Sequence, residues 1–424
     1  MTAAERGLAL GAVLARVARF AVERGLTFYV VGGFVRDRFL GEDAADLDLV
    51  WIGDGDPERV STELGERFES PVSYRGEFLT ASLAVDGFAV DFGRARVETY
   101  EAPAALPAVR PGSLEQDLLR RDFSVNAMAW PVSCGPDPDA AAEDLVDPCG
   151  GYRDLAERSL RVMHPRSFAD DPTRILRGIE LKVRRGFEFE PDTLGLARAA
   201  LAAGHLELVS GARLRRELAR LLATARRAAS SVPALRDLGI DRALGFQIDD
   251  ARVSRFRDLC ERASGLRADL GSVPTWVLVL GLLVSDWSPA ATDTLAERLQ
   301  LDRSAQRFLT GGSGRARQGL AALSAVDWDP MEVARDCSGL SEAELALIEL
   351  QAPESLGPRW LRLKELLSVS LVIDGDDLIG AGAAPGARIG RALERTLDAR
   401  RSGEIGPERE LEFALGWLAE PESG

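Results

Sequence analysis

The N-terminal hydrophobic pattern starts with a helix. Apolar side chains recur at helical spacing at Leu8, Leu10, Val13, Leu14, Val17 and Phe20. This spacing predicts a helix over residues 3–24. Gly25 is typical of the residue that caps the C-terminal end of a helix.

Strand-like runs follow. Residues 27–31 and 47–51 predict strands, with Gly32-Gly33 and a short helix over 34–40 between them. Two further runs, 80–85 and 88–92, flank an Asp-Gly dipeptide that is typical of a tight hairpin.

The pattern changes beyond about residue 154. Strand signals nearly vanish, and helical patterns rich in Leu, Ala and Arg continue to the end, interrupted by Gly/Pro/Ser clusters near 264–274 and 380–386. The predicted fold class is therefore α+β, with a mixed β-sheet in an N-terminal head and helices in the remainder.

Length and composition are those of a soluble globular protein. The 424 residues suggest roughly two to four domains. Hydrophobic residues make up 46% and charged residues 28%, which is close to the globular average. No run approaches the roughly 20 apolar residues of a membrane span, and the first residues read as a helix rather than a signal sequence. We expect a cytoplasmic protein without a membrane partner.

Cysteine and histidine usage limits the chemistry. The four cysteines are scattered without a Cys-x-x-Cys pair, which supports neither a disulfide framework nor a zinc site. The two histidines, His164 and His205, are far apart. Because His-ligated centres need several histidines, any catalytic metal must be held by carboxylates.

The formal net charge of −15 argues against a nucleic-acid partner. However, residues 161–227 contain 14 basic and 8 acidic side chains, and this local excess could face RNA. The alternative is a set of solvated helix faces with i,i+4 ion pairs. The candidate RNA contacts in the stretch are Arg184, Arg185, Arg213 and Arg216.

Candidate chemistry begins at Gly32-Gly33 and Arg36. Two glycines between a strand and a helix let the backbone approach a phosphate closely, and Arg36 could add a bidentate contact. Alone, the glycine pair is commonly just a turn.

Asp46 and Asp48 follow on the next predicted strand. Residues two apart on a strand project from one face, about 7 Å apart, so both carboxylates can converge on Mg²⁺. Asp91 is the best candidate for a third carboxylate because its strand would pair nearby. A lone Asp-x-Asp is commonly surface polarity, but its combination with Gly-Gly at this spacing is much more specific.

This order of motifs resembles the DNA polymerase beta nucleotidyltransferase superfamily, in particular its branch of bacterial-type (class II) tRNA CCA-adding enzymes and poly(A) polymerases. The resemblance spans residues 29 to about 400 and is densest up to 218. It is carried in order by YVVGGFVRDRFLGEDAADLDL (29–49), RRDFSVNA (120–127), DPCGG through LR (147–161), FADDPTRILRGIELKVRRGFEF (168–189), GDDLI (375–379) and PGARIG (385–390).

The resemblance implies four parts. These are a nucleotidyltransferase head (1–135), a neck that binds the nucleotide base and RNA (136–200), a helical body (201–290) and a helical tail that binds tRNA (291–424). The implied partners are the tRNA 3′ end and ATP and/or CTP, with Mg²⁺ as cofactor. No oligomeric state is indicated.

Residue roles follow from the same resemblance. Asp46, Asp48 and Asp91 would be catalytic, with Asp46 and Asp48 as metal ligands. The nucleotide would be bound by Gly32, Gly33, Arg36, Arg121, Asp122, Asn126, Asp171, Arg174 and Arg177. Arg121 could alternatively be a structural ion-pair partner.

Base choice would rest on Asp171 and Arg174, which are three apart and so share a helix face. A carboxylate accepts from the exocyclic amine that C and A carry, and a guanidinium donates to a neighbouring ring or carbonyl acceptor. Asp171-Pro172 also reads as a helix N-cap followed by Pro.

The stopping point of the reaction is left open. The family motif often has Glu-Asp where this chain has Asp170-Asp171, and Asp-Asp-Pro-Thr-Arg is similar to members that add only the terminal A. Residues 99–111 occupy the place of the family's flexible loop. Complete CCA synthesis, A-only or CC-only addition, poly(A) synthesis and an inactive RNA-binding relative are the alternatives.

Overall fold

The computed structural model describes residues 3–42, 46–137, 142–263 and 273–420. They form two compact units. The first comprises residues up to Leu221 together with Ser230–Ile248, and the second comprises Leu222–Ala229 together with the residues from Asp249 onward. The Gly/Pro/Ser cluster predicted near 264–274 lies largely outside the described residues. The division into head, neck, body and tail stays a prediction.

The first unit contains a six-stranded mixed sheet with the order β3-β4-β5-β2-β1-β8. Strands β2 and β5 are parallel, and the other neighbours are antiparallel. A separate hairpin pairs β6 with β7. The strands are β1 Thr27–Val31, β2 Asp46–Ile52, β3 Ser73–Arg75, β4 Thr80–Val85, β5 Phe88–Arg94, β6 Arg96–Thr99, β7 Ala108–Pro111 and β8 Ala129–Pro131. The predicted mixed sheet in the N-terminal part of the chain is confirmed.

Side chains alternate between the two faces of the sheet along β2 and β5, with apolar residues on one face and carboxylates on the other. Leu47 and Leu49 on β2 and Val90 and Phe92 on β5 are buried in the core. The residues between them, including Asp48, project from the opposite face. The sheet therefore packs on one side and presents carboxylates on the other.

The predicted hairpin between β4 and β5 is confirmed. Val85 pairs with Phe88, so Asp86 and Gly87 form a two-residue loop. Both have positive φ, 48° and 83°, as the type I′ turn requires. This turn sets the register that brings Ser82 opposite Asp91.

Helices surround the sheet and continue the chain. The predicted N-terminal helix is confirmed as α1 Ala3–Arg24, and the predicted short helix as α2 Gly33–Phe39. The others up to residue 243 are α3 Pro57–Phe68, α4 Leu114–Leu119, α5 Gly151–Ala156, α6 Ser167–Asp170, α7 Thr173–Arg185, α8 Pro191–Ala202, α9 Gly211–Leu221, α10 Ala225–Asp237 and α11 Ile240–Ala243.

The expectation of helices alone beyond residue 154 is wrong in one detail. Ser159–Leu160 (β9) and Glu188–Phe189 (β10) form a short parallel pair on either side of α6 and α7. Two-residue strands are too short to give an alternating pattern, so the sequence carries no signal for them.

Helix α7 is held tightly against the sheet-bearing part of the first unit. Its buried face includes Ile175, Leu176 and Ile179. A Cβ at Gly178 would lie 2.4 Å from the Phe189 ring and 2.9 Å from the Phe123 ring. This close packing fixes the start of α7, where Asp171 and Arg174 lie.

The second unit is built from helices. Its apolar centre includes α13, in which residues 277–283 are all buried. In the described part of the chain no helix is long and apolar enough to span a membrane. The helices from residue 250 onward are α12 Asp250–Ala263, α13 Thr275–Leu283, α14 Pro289–Arg298, α15 Arg303–Arg307, α16 Ser313–Ser324, α17 Pro330–Cys337, α18 Glu342–Gln351, α19 Gly357–Ser368, α20 Gly375–Gly380, α21 Ala387–Ser402 and α22 Glu410–Ala419.

Candidate active site

Three carboxylates share the open face of the sheet. Asp48 on β2 is directly opposite Asp91 on the parallel strand β5. Asp46 begins β2 and is exposed. The Ser82 hydroxyl on β4 donates to Asp91 in turn. The strand pairing expected for Asp91 is therefore observed, although β5 continues beyond it to Arg94.

The negative charges are crowded at Asp48. Burial raises the pKa of the Asp48 carboxyl from its ordinary 3.8 to about 6, and the Asp91 and Asp46 carboxylates add to the rise. Arg121 and Arg36 oppose it. A carboxylate held in this way gains from a nearby cation, because the cation favours its charged form.

The donor set fits a magnesium ion that keeps most of its ligands outside the protein. Carboxylate oxygens are the ligands Mg²⁺ prefers, and one or two of them commonly suffice beside water and substrate phosphates. Within the described ranges no group of three or more His, Cys, Asp or Glu side chains is clustered closely enough to hold a metal. Binding through Asp46 and Asp48 alone, completed by phosphate oxygens, remains the prediction.

Gly32 separates the carboxylates from the basic side of the site. Its φ is +73°, and a Cβ there would lie 2.8 Å from Nη1 of Arg121 and 3.3 Å from Oδ2 of Asp48. The next residue, Gly33, begins α2, and a Cβ on it would be 3.4 Å from Nη2 of Arg36. The glycine pair thus leaves room for two guanidinium groups beside Asp48.

We expect Gly32→Ala to reduce nucleotide incorporation on the order of 10²-fold, because the methyl group displaces Arg121 from Asp48 and small misplacements at a reacting centre are costly. Gly41→Ala is the matched control. Gly41 has a similar φ of +71°, but nothing lies within 4 Å of its added Cβ. Both variants place a Cβ at positive φ, so equal activities in steady-state assays would contradict the role of Gly32.

Arg36 is anchored rather than free. Its guanidinium is buried, bonds Asp37 through Nε at 2.7 Å and donates through Nη1 to the Asn126 side chain at 2.5 Å. Asn126 in turn donates to Asp122 at 2.9 Å. The predicted triphosphate and ribose residues are thus joined in one chain of hydrogen bonds.

Arg177 continues this chain to the start of α7. It donates to Asp122 at 3.0 Å, to Asp171 at 3.1 Å and to Thr173 at 3.1 Å. Arg213 on α9 donates to the same Asp171 at 2.8 Å. Burial alone would raise the pKa of Asp122 and Asp171, but Arg177 and the other donors outweigh it and hold both pKa values below the ordinary range.

Asp171 and Arg174 line one cavity, but the predicted shared helix face is wrong, because Asp171 precedes α7 and only Arg174 lies on it. Asp171 has extended backbone just before α7, and its carboxylate accepts from the Thr173 backbone N–H at 3.0 Å. Capping is therefore one of its contacts and not the only one. Arg174 is buried and donates to the Ser167 hydroxyl at 2.6 Å and the Arg120 carbonyl at 2.7 Å. Its buried Nε has no hydrogen-bond partner among the described residues.

Two cavities meet at this place. One, of about 330 Å³, is lined by the carboxylate face, including Asp48 and Asp91. The other, of about 430 Å³, contains Asp171 and Arg174. Both volumes suit a small-molecule ligand. Arg96, Arg120 and Arg121 line both cavities, so a nucleotide could place its phosphates in the first and its base in the second.

The candidate RNA contacts separate into two kinds. Arg184 and Arg216 are solvent-accessible, each with one acidic neighbour. Arg185 has only 8% of its side chain exposed and pairs with Asp37 and Glu42, and Arg213 pairs with Asp171. RNA contact by the second pair stays a prediction that this geometry does not favour.

An ion-pair cluster behind the cavities was not predicted from the sequence. Asp117, fully buried, accepts from Arg120 at 2.7 Å and from Arg121 at 3.1 Å. Glu98 accepts from Arg120 at 3.1 Å and from the Tyr100 hydroxyl at 2.8 Å. The i,i+3 and i,i+4 spacing of Asp117 to the two arginines was a signal that could have found the first part. The structural ion pair expected as an alternative for Arg121 does exist.

The fold and the carboxylate face together define a nucleotidyltransferase head. A family model described as the poly(A) polymerase head domain matches residues 28–161. An A-adding tRNA nucleotidyltransferase of Geobacter sulfurreducens is 31% identical over 93% of this chain, which spans only 45% of that protein's length.

A second relative matches over nearly its whole length. A CC-adding tRNA nucleotidyltransferase of Deinococcus radiodurans is 30% identical over 91% of this chain and 88% of that protein. A CCA-adding enzyme solved in complex with ATP superposes with a TM-score of 0.75 and 27% identity over 97% of this chain and 95% of that one. The chain belongs to the family of CCA- and A-adding tRNA nucleotidyltransferases, which confirms the resemblance.

Proposed function

We propose that this protein transfers CMP and/or AMP from CTP or ATP to the 3′ end of tRNA and releases pyrophosphate. The observation that carries the proposal is the pairing of Asp48 with Asp91 beside a nucleotide-sized cavity, in a chain of this family. The names of the relatives supply the substrate class. The accessible Arg184 and Arg216, and the helices of residues 291–424, are the proposed tRNA contacts.

The reaction is an in-line attack of the RNA 3′-hydroxyl on the α-phosphate. Asp46 and Asp48 would hold Mg²⁺, which when bound lowers the pKa of the attacking hydroxyl and neutralises the leaving pyrophosphate. Gly32 and Gly33 let the triphosphate approach the backbone. Arg121 faces the same cavity as Asp48, and its buried Nε has no partner within the described residues.

Base choice follows from the second cavity. Arg174 would donate to a ring or carbonyl acceptor of the base, and Asp171 would accept from the exocyclic amine of cytosine or adenine. Asp122 and Asn126 would hold the ribose end of the nucleotide, since they connect Arg36 to Arg177. Uracil and guanine present the opposite pattern.

A second candidate is addition of the terminal A only. Asp170 stands where the family motif often has Glu. It is buried and pairs with Arg166 at 3.2 Å, and it does not line the second cavity. The similarity to an A-adding tRNA nucleotidyltransferase of Geobacter sulfurreducens supports the same candidate.

The test uses the purified protein with Mg²⁺ and three tRNAs, one lacking CCA, one ending in C and one ending in CC. CTP and ATP are supplied separately and together. Extension of all three tRNAs to CCA would establish complete synthesis. Use of ATP on the CC-ended tRNA alone would establish the A-only enzyme, and use of CTP alone the CC-only enzyme. Long A tails on unrelated RNA, or no extension at all, would contradict the proposal.

A further inference from the structure

Tyr100 is a further polar residue of the second cavity. It lines this cavity together with Asp171 and Arg174, whose charges act on its phenol. The hydroxyl donates to Oε2 of Glu98 at 2.8 Å. Oε1 of Glu98 is engaged by Arg96 at 2.7 Å and Arg120 at 3.1 Å, so the carboxylate is fixed from two sides.

The proton between Tyr100 and Glu98 has one stable position. Burial alone would raise the pKa of Glu98, but Arg120 and Arg96 outweigh it and keep that pKa below its ordinary value. Burial and the neighbouring Glu98 raise the pKa of Tyr100. Glu98 is therefore a carboxylate and Tyr100 a neutral phenol whose proton points to Glu98.

A phenol in this state can only accept from a ligand. Its single O–H is used by Glu98, and the remaining capacity of the oxygen is for acceptance. The Tyr100 oxygen therefore faces a ligand as a hydrogen-bond acceptor, because the Glu98 carboxylate holds the phenol proton.

Asp171 offers a second acceptor in the same cavity. Its two oxygens accept from the Thr173 N–H, the Thr173 hydroxyl, Arg213 and Arg177. Three of these hydrogen bonds end on Oδ1 and only that from Arg177 ends on Oδ2, so Oδ2 can take a further donor. An exocyclic amine has two N–H donors, so Asp171 and Tyr100 can each accept one of them.

We propose that the Tyr100 oxygen is a specificity-determining acceptor for the exocyclic amine of the incoming base, and that Glu98 is the positioning residue that fixes its polarity. The inference rests on the proposed function, because it requires a nucleotide base in this cavity. Adenine and cytosine carry an amine at N6 and N4, whereas guanine and uracil carry a carbonyl oxygen, O6 and O4, at the same positions. An acceptor-only phenol favours the first pair and repels the second.

Tyr100→Phe tests the acceptor directly. The ring stays and the oxygen is lost, so kcat/KM for the preferred nucleotide, ATP or CTP, should fall roughly three- to tenfold, with GTP and UTP unchanged or improved. Tyr152→Phe is the matched control, because Tyr152 is exposed and lies outside both cavities. It should leave all four values unchanged.

Glu98→Gln tests whether Glu98 fixes the direction of the Tyr100 hydroxyl proton. An amide nitrogen facing Tyr100 donates to the phenol oxygen and turns the phenol proton towards the cavity. Incorporation of GTP and UTP should then rise relative to ATP and CTP. A purely structural role of Glu98 would instead lower all four values in parallel, and thermal melting separates that loss of stability from the change in preference.

The outcomes distinguish this inference from the proposed function. An active wild-type protein with an unchanged nucleotide preference in Tyr100→Phe, or a parallel loss for all four nucleotides in Glu98→Gln, would overturn the inference alone. A wild-type protein that incorporates no nucleotide into tRNA would overturn the proposed function itself.

Discussion

Asp48→Asn is expected to abolish nucleotide incorporation, by roughly 10³-fold or more, because it removes a carboxylate that would hold the metal. The fold should remain and even gain stability in chelator. The Asp48 pKa is about 6 in the folded protein against an ordinary 3.8, so at neutral pH its charge opposes folding. The variant avoids that penalty, which is at most about 3 kcal/mol.

The sign of the pH dependence follows from the same shift. Since the folded protein binds the Asp48 proton more tightly than the unfolded chain, this group lowers stability as pH rises from about 4 to 6 and has a constant effect above. The stabilisation by Asp48→Asn in EDTA should therefore be largest at pH 7.5 and fall to about half at pH 5. Denaturant unfolding of both proteins at the two pH values checks this. A variant that retains the wild-type rate would contradict the assignment of Asp48.

Arg177→Ala is expected to cost about 3 to 5 kcal/mol of stability and most of the activity. Arg177 pairs with two carboxylates, Asp122 and Asp171, whose side chains are only 15% and 14% exposed. Removal leaves both charges without this partner in a low-dielectric place. Thermal melting and incorporation assays measure the two effects.

Arg184→Ala is the matched control on the same helix. Its side chain is 44% exposed and pairs with Glu180 at i,i+4 spacing, and such a pair typically contributes about 0.3 to 0.5 kcal/mol. A melting temperature close to that of the wild type is expected. Equal destabilisation of the two variants would show that Arg177 does not connect the nucleotide-binding residues.

Local periodicity accounts for what the sequence predicts well. Asp46 and Asp48 share a face because side chains alternate along a strand, and Asp-Gly at 86–87 forms a two-residue loop that sets the register of β4 and β5. The pairing of Asp91 with Asp48 follows once the hairpin lies next to β2. These are consequences of neighbours in sequence.

Partners distant in sequence account for what is missed. Asp171 is 42 residues from Arg213, and Glu98 is 22 residues from Arg120, so no spacing rule joins them. Charge counting likewise treats Arg185 and Arg184 alike, although only Arg184 is substantially exposed. The sequence predicts a loop over residues 99–111, whereas 108–111 form strand β7; the Ala, Val, Arg and Pro of this strand lack the usual β-rich pattern.

The most direct test of the central claim is the coupling of pyrophosphate release to tRNA extension. Wild-type protein and Asp48→Asn are mixed with Mg²⁺, labelled ATP and CC-ended tRNA, and again with labelled CTP and tRNA lacking CCA. The wild type should release one pyrophosphate for each nucleotide added in at least one of the two mixtures, and the variant should release none. Release of orthophosphate without extension, or equal extension by both proteins, would contradict nucleotidyl transfer at the Asp48–Asp91 face.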